Sequence, residues 1–370
     1  MIRRESPIPV TRRLLVARPV RTTAGALGIG LALMLMLLLN GLWTGVQQRV
    51  TLYDEHLGAA LVVVPEGTES LFADPGVLPA DTVAAVEQTP GVTRASPIRT
   101  TYLILELDEA KVAVAAVASR PGRAGGPWAF VTGRAPAAPD EVAVDAYFAD
   151  EQGLVVGDAL PMLGRSMRIV GLTDGTAMFM TPMVFTTADA MTSMLVAPDT
   201  TGAVLVATDR PRMVARLLRG RGLTVRTPAE LEQASLTLAT KVYGTPVRLM
   251  VAVAFAAGTL IVALVAHTRV SEQQRDLGIL KALGATPGRV RRIAVTETVV
   301  LTALGAVAAL VLLLVTRELL AWWRPAFPVA MTWETLARTA AAASAMALLA
   351  AWLPAHRLAR LDAASAFRSR

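Results

Sequence analysis

The sequence predicts a membrane α-helical protein with four transmembrane helices in a 1+3 arrangement and a large α+β extracytoplasmic domain inserted between helices 1 and 2. Three observations carry this reading. Hydrophobic residues make up 54% of the 370-residue chain and charged ones 18%, with a mean hydropathy of +0.49, more apolar than an ordinary soluble protein. The excess is concentrated in four charge-poor runs, one near the start and three near the end. Lys and Arg gather beside alternate ends of those runs, as cytoplasmic segments do.

The first run, Thr22–Trp43, carries no charged residue and is long enough, at about 1.5 Å per residue, for a hydrocarbon core of roughly 30 Å. Arg3, Arg4, Arg12, Arg13, Arg18 and Arg21 precede it. A cleaved signal peptide is the competing reading, but the run is too long and no small-x-small cleavage site follows closely. The later runs are Val247–Ala266, Ile293–Val315 and Leu336–Leu353. Spans are therefore placed at 22–43, 246–268, 290–316 and 334–353. The segments 1–21, 269–289 and 354–370 hold most of the flanking Arg and Lys, so all three are expected to be cytoplasmic, with both termini inside. The loop 317–333 has Arg317 and Arg324 offset by Glu318, and Trp322 and Trp323 suit an interfacial belt, so it is expected to face outward.

Residues 44–245 form the outer domain. Leu61–Val64 (LVVV) is a candidate buried strand, Pro79–Gln88 a helix, and TYLILEL and KVAVAAV a hairpin turning at Asp108 and Glu109. RIVGL at Arg168–Leu172 and MVFT at Met183–Thr186 are further strands. Pro211–Arg219 is a helix that returns the chain, so two interleaved subdomains are expected. Stretches Gly45–His56 and Pro228–Tyr243 adjoin the first two spans. Either they continue the spans outward as a rigid stalk or they are ordinary surface helices, and periodicity leaves both readings open.

Several chemistries are excluded or unsupported. With no cysteine there are no disulfides, thiolate metal sites or cysteine nucleophiles. No G-x-x-x-x-G-K-[ST], G-x-G-x-x-G after a strand, G-x-S-x-G or H-E-x-x-H occurs, so nucleotide chemistry by this chain is unsupported. His56, His267 and His356 are far apart in sequence, and no His-based metal site is expected. Asp108, Glu109, Asp140 and Glu141 are expected to be solvated turn acids and not a catalytic pair. Glu297 and Arg338 lie near span ends, where they are expected to snorkel to the interface. The net charge of +7 reflects membrane topology, not a nucleic-acid surface, because the basic residues flank apolar runs with few aromatics between them.

The segment Val270–Ile293 (VSEQQRDLGILKALGATPGRVRRI) is the most informative. A short polar helix presents Leu277, Leu280 and Leu283, Gly284 can adopt the left-handed stop, and Thr286 caps a new helix with Pro287 at its first position. The result is an elbow with an apolar edge and flanking charges, suited to docking on a cytoplasmic protein and longer than a bare connection requires.

RDLGILKALGATPGRV resembles the loop motif of the FtsX/MacB-type permeases of ATP-binding-cassette (ABC) systems. LPAHRLARLDAASAFR is similar to the family's closing pattern. RRLLVARPVRTTAGALGIGLAL is similar to its amphipathic opening helix, and VTGRAPAAPDEVAVDAYFADEQGLVVGDAL followed by RIVGL resembles its extracytoplasmic core. The resemblance covers nearly the whole chain and implies a bacterial inner-membrane permease subunit that is not itself an enzyme. It implies a homodimer of permease copies in membrane lipid, engaged by a cytoplasmic ABC ATPase dimer that uses ATP and Mg. No cofactor is bound by this chain; an extracytoplasmic adaptor or substrate protein is a further possible partner, and nucleic acid is not one. The ATPase-coupling contact would be carried by Arg275, Asp276, Leu277, Gly278, Ile279, Leu280, Lys281, Ala282, Leu283, Gly284 and Ala285. Three outputs stay open: export or extraction of a hydrophobic, peptide or lipid-like substrate, mechanical regulation of an envelope enzyme or complex, and an ATPase-independent sensor or membrane enzyme.

Overall fold

The computed structural model describes residues 19–107, 110–179, 181–195, 200–272, 279, 285–323 and 329–359. The described residues divide into two compact units, one within 19–45, 244–323 and 329–359, the other within 46–243. In chain order the described elements begin with α1 (Pro19–Val50), α2 (Leu52–Glu55), β1 (Leu61–Val64), β2 (Leu78–Pro79), α3 (Asp81–Glu87), β3 (Arg94–Leu107) and β4 (Ala110–Ser119). Then come β5 (Phe130–Gly133), β6 (Glu141–Asp145), α4 (Ala146–Glu151), β7 (Ala159–Met162), β8 (Arg165–Thr173), β9 (Met183–Thr187), α5 (Ala188–Leu195), β10 (Thr200–Thr201) and β11 (Ala203–Ala207). The chain ends with α6 (Pro211–Gly220), β12 (Thr224–Arg226), α7 (Pro228–Ala239), a π-turn at Thr240–Gly244, α8 (Thr245–Glu272), α9 (Pro287–Trp323) and α10 (Trp333–Ala359).

The helical unit packs on small residues. A side chain at Gly30 would meet the Cβ of Ala308 at 3.0 Å, and one at Gly305 would meet Ile29 at 2.6 Å, so α1 and α9 approach where neither carries a Cβ. Ile29, Leu33, Val262, Leu301, Leu313 and Met346, from all four long helices, share one apolar core. Hydroxyls within the helices close onto their own backbone, as Thr259 does on Phe255 O at 2.8 Å and Thr302 on Thr298 O at 2.9 Å, so these hydroxyls need no partner from lipid. Among the described residues three helical runs are long and apolar enough to cross a membrane: Thr22–Val50, Pro228–Glu272 and Val295–Leu320. The 27-residue α10 contributes Ala343 and Met346 to the same core. The helices outrun the expected spans, and α9 takes up the first part of the expected loop 317–333.

The other unit is organised by a ten-stranded sheet in the order β12-β1-β11-β3-β4-β9-β6-β8-β5, with β7 also on β8. The expected hairpin is present: β3 and β4 pair antiparallel from Ile98↔Ser119 to Leu107↔Ala110. Asp108 and Glu109, its expected turn, lie outside the described residues. Central strands are buried on both faces, which is why LVVV and MVFT read as unbroken apolar runs. Val62 and Val64 join Ala115, Val117 and Phe185 in one core, while Leu61 and Val63 point to Val214 and Leu218 of α6. Farther along the same sheet, Val114, Ala116 and Ala118 pack with Phe148 of α4 and Met191 of α5.

This corrects the expectation of two interleaved subdomains. The sheet is continuous, and the division exists only as two helical caps, α3 with α6 and α4 with α5. The expected helix over Pro79–Gln88 is shorter, since Pro79 belongs to β2 and pairs with Thr200.

The stalk stretches are also less regular than expected. α1 stops at Val50 and Thr51 separates it from α2. α7 starts on a capping box in which the Thr227 hydroxyl accepts from Glu230 N at 3.2 Å and the Glu230 carboxylate from Thr227 N at 2.8 Å. It then widens into the π-turn immediately before Pro246. Pro246 has no N–H for the carbonyl of Val242, and its ring would clash with that carbonyl in an α-helix; the wider turn accommodates both.

Glu141, expected as a solvated turn acid, is 2% exposed. Arg134 donates to its two oxygens at 2.7 and 2.5 Å, Arg168 at 3.1 Å and the Ala137 N–H at 2.9 Å. Hydrogen bonding from Arg134 holds the carboxyl down at about 2. The site fastens the start of β6 to β8 and has no open valence for chemistry.

Candidate functional site

The expected docking elbow is described only at its edges. α8 runs to Glu272 and α9 begins at Pro287, where the Arg289 N–H reaches Thr286 O at 2.9 Å, so the second helix starts where Thr286 and Pro287 predict. Ile279 is helical and 43% exposed, and Ala285 is half-buried outside a helix. The remaining expected contact residues, Arg275–Gly278 and Leu280–Gly284, lie outside the described residues.

The base of this loop holds a polar junction. Arg269, in the last turn of α8, donates from Nη1 to Glu297 Oε1 of α9 at 2.8 Å and from Nη2 to the Thr22 hydroxyl of α1 at 2.8 Å. The ion-paired side chains are 13% and 5% exposed. Val262, Ala266 and Leu301 surround the pair, leaving a gap of only about 10 Å³ beside it, near the size of one water. One guanidinium thus ties together three helices that are separate in sequence. A charge-assisted bond of this kind offsets the cost of burying a carboxylate, which unpaired would be several kcal/mol.

Glu297 therefore departs from the expected snorkelling residue: it is buried and paired because Arg269 meets it at the helix crossing. Arg338 is 68% exposed and paired at 3.2 Å with Glu334 one turn away. Arg269 was legible only as a topological charge and Thr22 only as the edge of a span; no spacing signal links residues 22, 269 and 297. Among the described residues no group of three His, Cys, Asp or Glu could hold a metal. His56 instead stacks on Trp128 at 4.4 Å.

The junction carries no nucleophile, acid–base pair or ligand set. What it offers is a buried ion pair between the two loop-flanking helices that also holds the first helix.

Comparison with known proteins adds independent information. A family model for the MacB-like periplasmic core domain matches residues 22–220, more than half the chain. A model for the FtsX-like permease C-terminal region matches residues 248–363. Uncharacterized ABC transporter permeases of Mycobacterium tuberculosis and Mycobacterium bovis are each 27% identical over 353 residues, covering 95% of this chain and 96% of theirs. The extracellular domain of the ABC-type transporter YknZ from Gram-positive bacteria aligns with a TM-score of 0.35 at 13% identity, over 46% of this chain and 98% of that one. The periplasmic region of MacB from Actinobacillus actinomycetemcomitans aligns with a TM-score of 0.37 at 10% identity, over 48% and 92%.

Proposed function

Because the chain belongs to the FtsX/MacB-like family of ABC transporter permeases, we propose that it is a subunit that converts ATP hydrolysis on a separate cytoplasmic ATPase into movement of its extracytoplasmic domain. The output is export or extraction of a hydrophobic, peptide or lipid-like substrate. The observation that carries this reading is the Arg269–Glu297–Thr22 junction at the base of the 269–289 loop. A force on Arg275–Ala285 enters α8 and α9 beside that junction and reaches α1 through it. α1 and the helical run 228–272 each contain residues of both units, so they are the covalent route by which such a force leaves the helical unit.

The same proposal includes α10 as a fourth span, both termini in the cytoplasm, two permease copies per assembly, and ATP and Mg held by the ATPase dimer, with no cofactor on this chain. Docking is assigned to the apolar residues Leu280 and Leu283 of the 269–289 loop.

Co-expression of the chain with candidate ATPases and purification in nanodiscs tests it. Wild type is expected to retain the cognate ATPase, and the Leu280→Asp, Leu283→Asp double variant to lose at least tenfold of that retention while inserting normally, since desolvating two carboxylates in an apolar contact costs several kcal/mol. Equal retention by the two would remove the loop as the coupling contact.

A further inference from the structure

In the sheet-bearing unit, α2, α7, the π-turn, the loop at 70–73 and residues Met178, Phe179 and Thr181 line an open cavity of about 370 Å³. That falls within the range of small-molecule sites, roughly 300–1,000 Å³. Five of its fifteen lining residues are aromatic. Phe72 and Tyr102 lie 5.9 Å apart with tilted rings, and Phe179 and Tyr243 meet edge to face at 6.0 Å. The π-turn supplies Tyr243, so the irregularity imposed by Pro246 places a ring in this wall.

Among the described residues that line the cavity, Asp54 is the one charged side chain. It is 4% exposed, and its Oδ2 accepts from the Ser235 hydroxyl of α7 at 2.8 Å. The charged groups acting on it are Glu55 of its own helix and Glu232 of α7, both acidic. No lysine, arginine or histidine is among the lining residues. A buried carboxylate in a negative surround lacks the counter-charge that such groups ordinarily require. An anion would be repelled by three acids, and a neutral apolar guest would supply Asp54 with no counter-charge. A cation with an apolar body answers every feature, because aromatic faces attract ammonium groups through their quadrupoles.

The geometry points to a binding site in this cavity for a small organic amine with an apolar body, its ammonium against Asp54 and its carbon skeleton against Phe72, Tyr102, Phe179 and Tyr243. That such an amine is also the cargo rests on the permease reading; that it binds does not. In the empty cavity, burial and the neighbouring acids push the Asp54 carboxyl up to about 7. An amine with a lysine-like pKa near 10.4 stays protonated over the neutral range, so its binding tightens as rising pH ionises Asp54.

The test uses the full chain in nanodiscs, with empty nanodiscs subtracted, and isothermal titration with 4-phenylbutylamine, 4-phenylbutanol and 4-phenylbutyrate. Expected are saturable binding of the amine, at least tenfold weaker binding of the alcohol and the acid, tightening of the amine between pH 6 and pH 8, and at least a tenfold loss for the amine in Asp54→Asn. The ligand series on wild type is decisive by itself if that variant does not fold. Equal affinity for amine and alcohol, amine binding unchanged in Asp54→Asn, or no saturable binding would reduce Asp54 to a clasp for Ser235 and overturn the assignment. ATPase retention is read on the same preparations: amine binding lost with retention intact faults the site, and the reverse faults the permease reading.

Discussion

Glu297→Ala is expected to destabilise the chain by about 3–5 kcal/mol, because truncating one partner strands the other as an uncompensated buried charge. Arg269 is 13% exposed in its side chain and would keep only the Thr22 hydroxyl of its two polar partners at the junction. The double variant Arg269→Leu, Glu297→Leu removes both charges and is expected to recover most of that loss, since apolar replacement of a buried pair is often neutral or better. Chemical denaturation of the chain in detergent micelles measures both. A single-variant loss below about 1 kcal/mol would mean that the pair is solvated and carries no load. Stability and function should then separate: the stable double variant is expected to bind the ATPase normally yet to show weakened transmission to α1, because binding uses the elbow and transmission uses the junction.

Asp54→Asn is expected to act in the opposite direction. The carboxyl is raised from its ordinary value to about 7 by burial and by Glu232 and Glu55, so the folded state holds a proton that the unfolded chain has released. Its contribution is fully present below about pH 4 and is lost as pH rises toward and through 7. At about 1.4 kcal/mol for each pH unit separating the folded and unfolded titrations, the loss is on the order of 4 kcal/mol by pH 8. The Asn variant keeps an acceptor for the Ser235 hydroxyl and has no charge to desolvate, so it should be the more stable protein at pH 8 by that order and no more stable at pH 4. Thermal unfolding of both proteins at the two pH values gives the comparison. A wild type as stable as the variant at pH 8 would show that Asp54 is compensated.

The parts of the fold legible in the sequence were those set by local burial. Charge-poor runs marked the long helices, and strands buried on both faces, such as Leu61–Val64 and Met183–Thr187, stood out as apolar runs between turn residues. Thr286 and Pro287 marked the start of α9. What escaped was pairing across distance. The parallel ladder of β4 with β9 joins strands far apart in the chain, and it turns two expected subdomains into one sheet. Pro246 lies at the edge of the expected second span, and the π-turn just ahead of it was not anticipated. At the candidate site, Glu297 drew notice as an intramembrane charge, yet its meaning came from Arg269 and Thr22, neither distinctive alone. Asp54 gave no signal: an acid beside Glu55 in TLYDEH reads as surface, and only the rings and α7 closing over it make it otherwise.

The central claim is that ATPase closure at the 269–289 loop is transmitted to the outer domain of a paired permease. The absence of cysteine allows one spin label to be placed at Leu217→Cys, an exposed position on α6, and the distance between copies to be measured by pulsed dipolar spectroscopy in the ATPase-bound complex with and without a non-hydrolysable nucleotide. A distance distribution that shifts on nucleotide binding in wild type, and does not shift in the Arg269→Leu, Glu297→Leu variant that still retains the ATPase, is the predicted result. No dipolar signal between copies, or one distribution unchanged by nucleotide in wild type, would contradict the account.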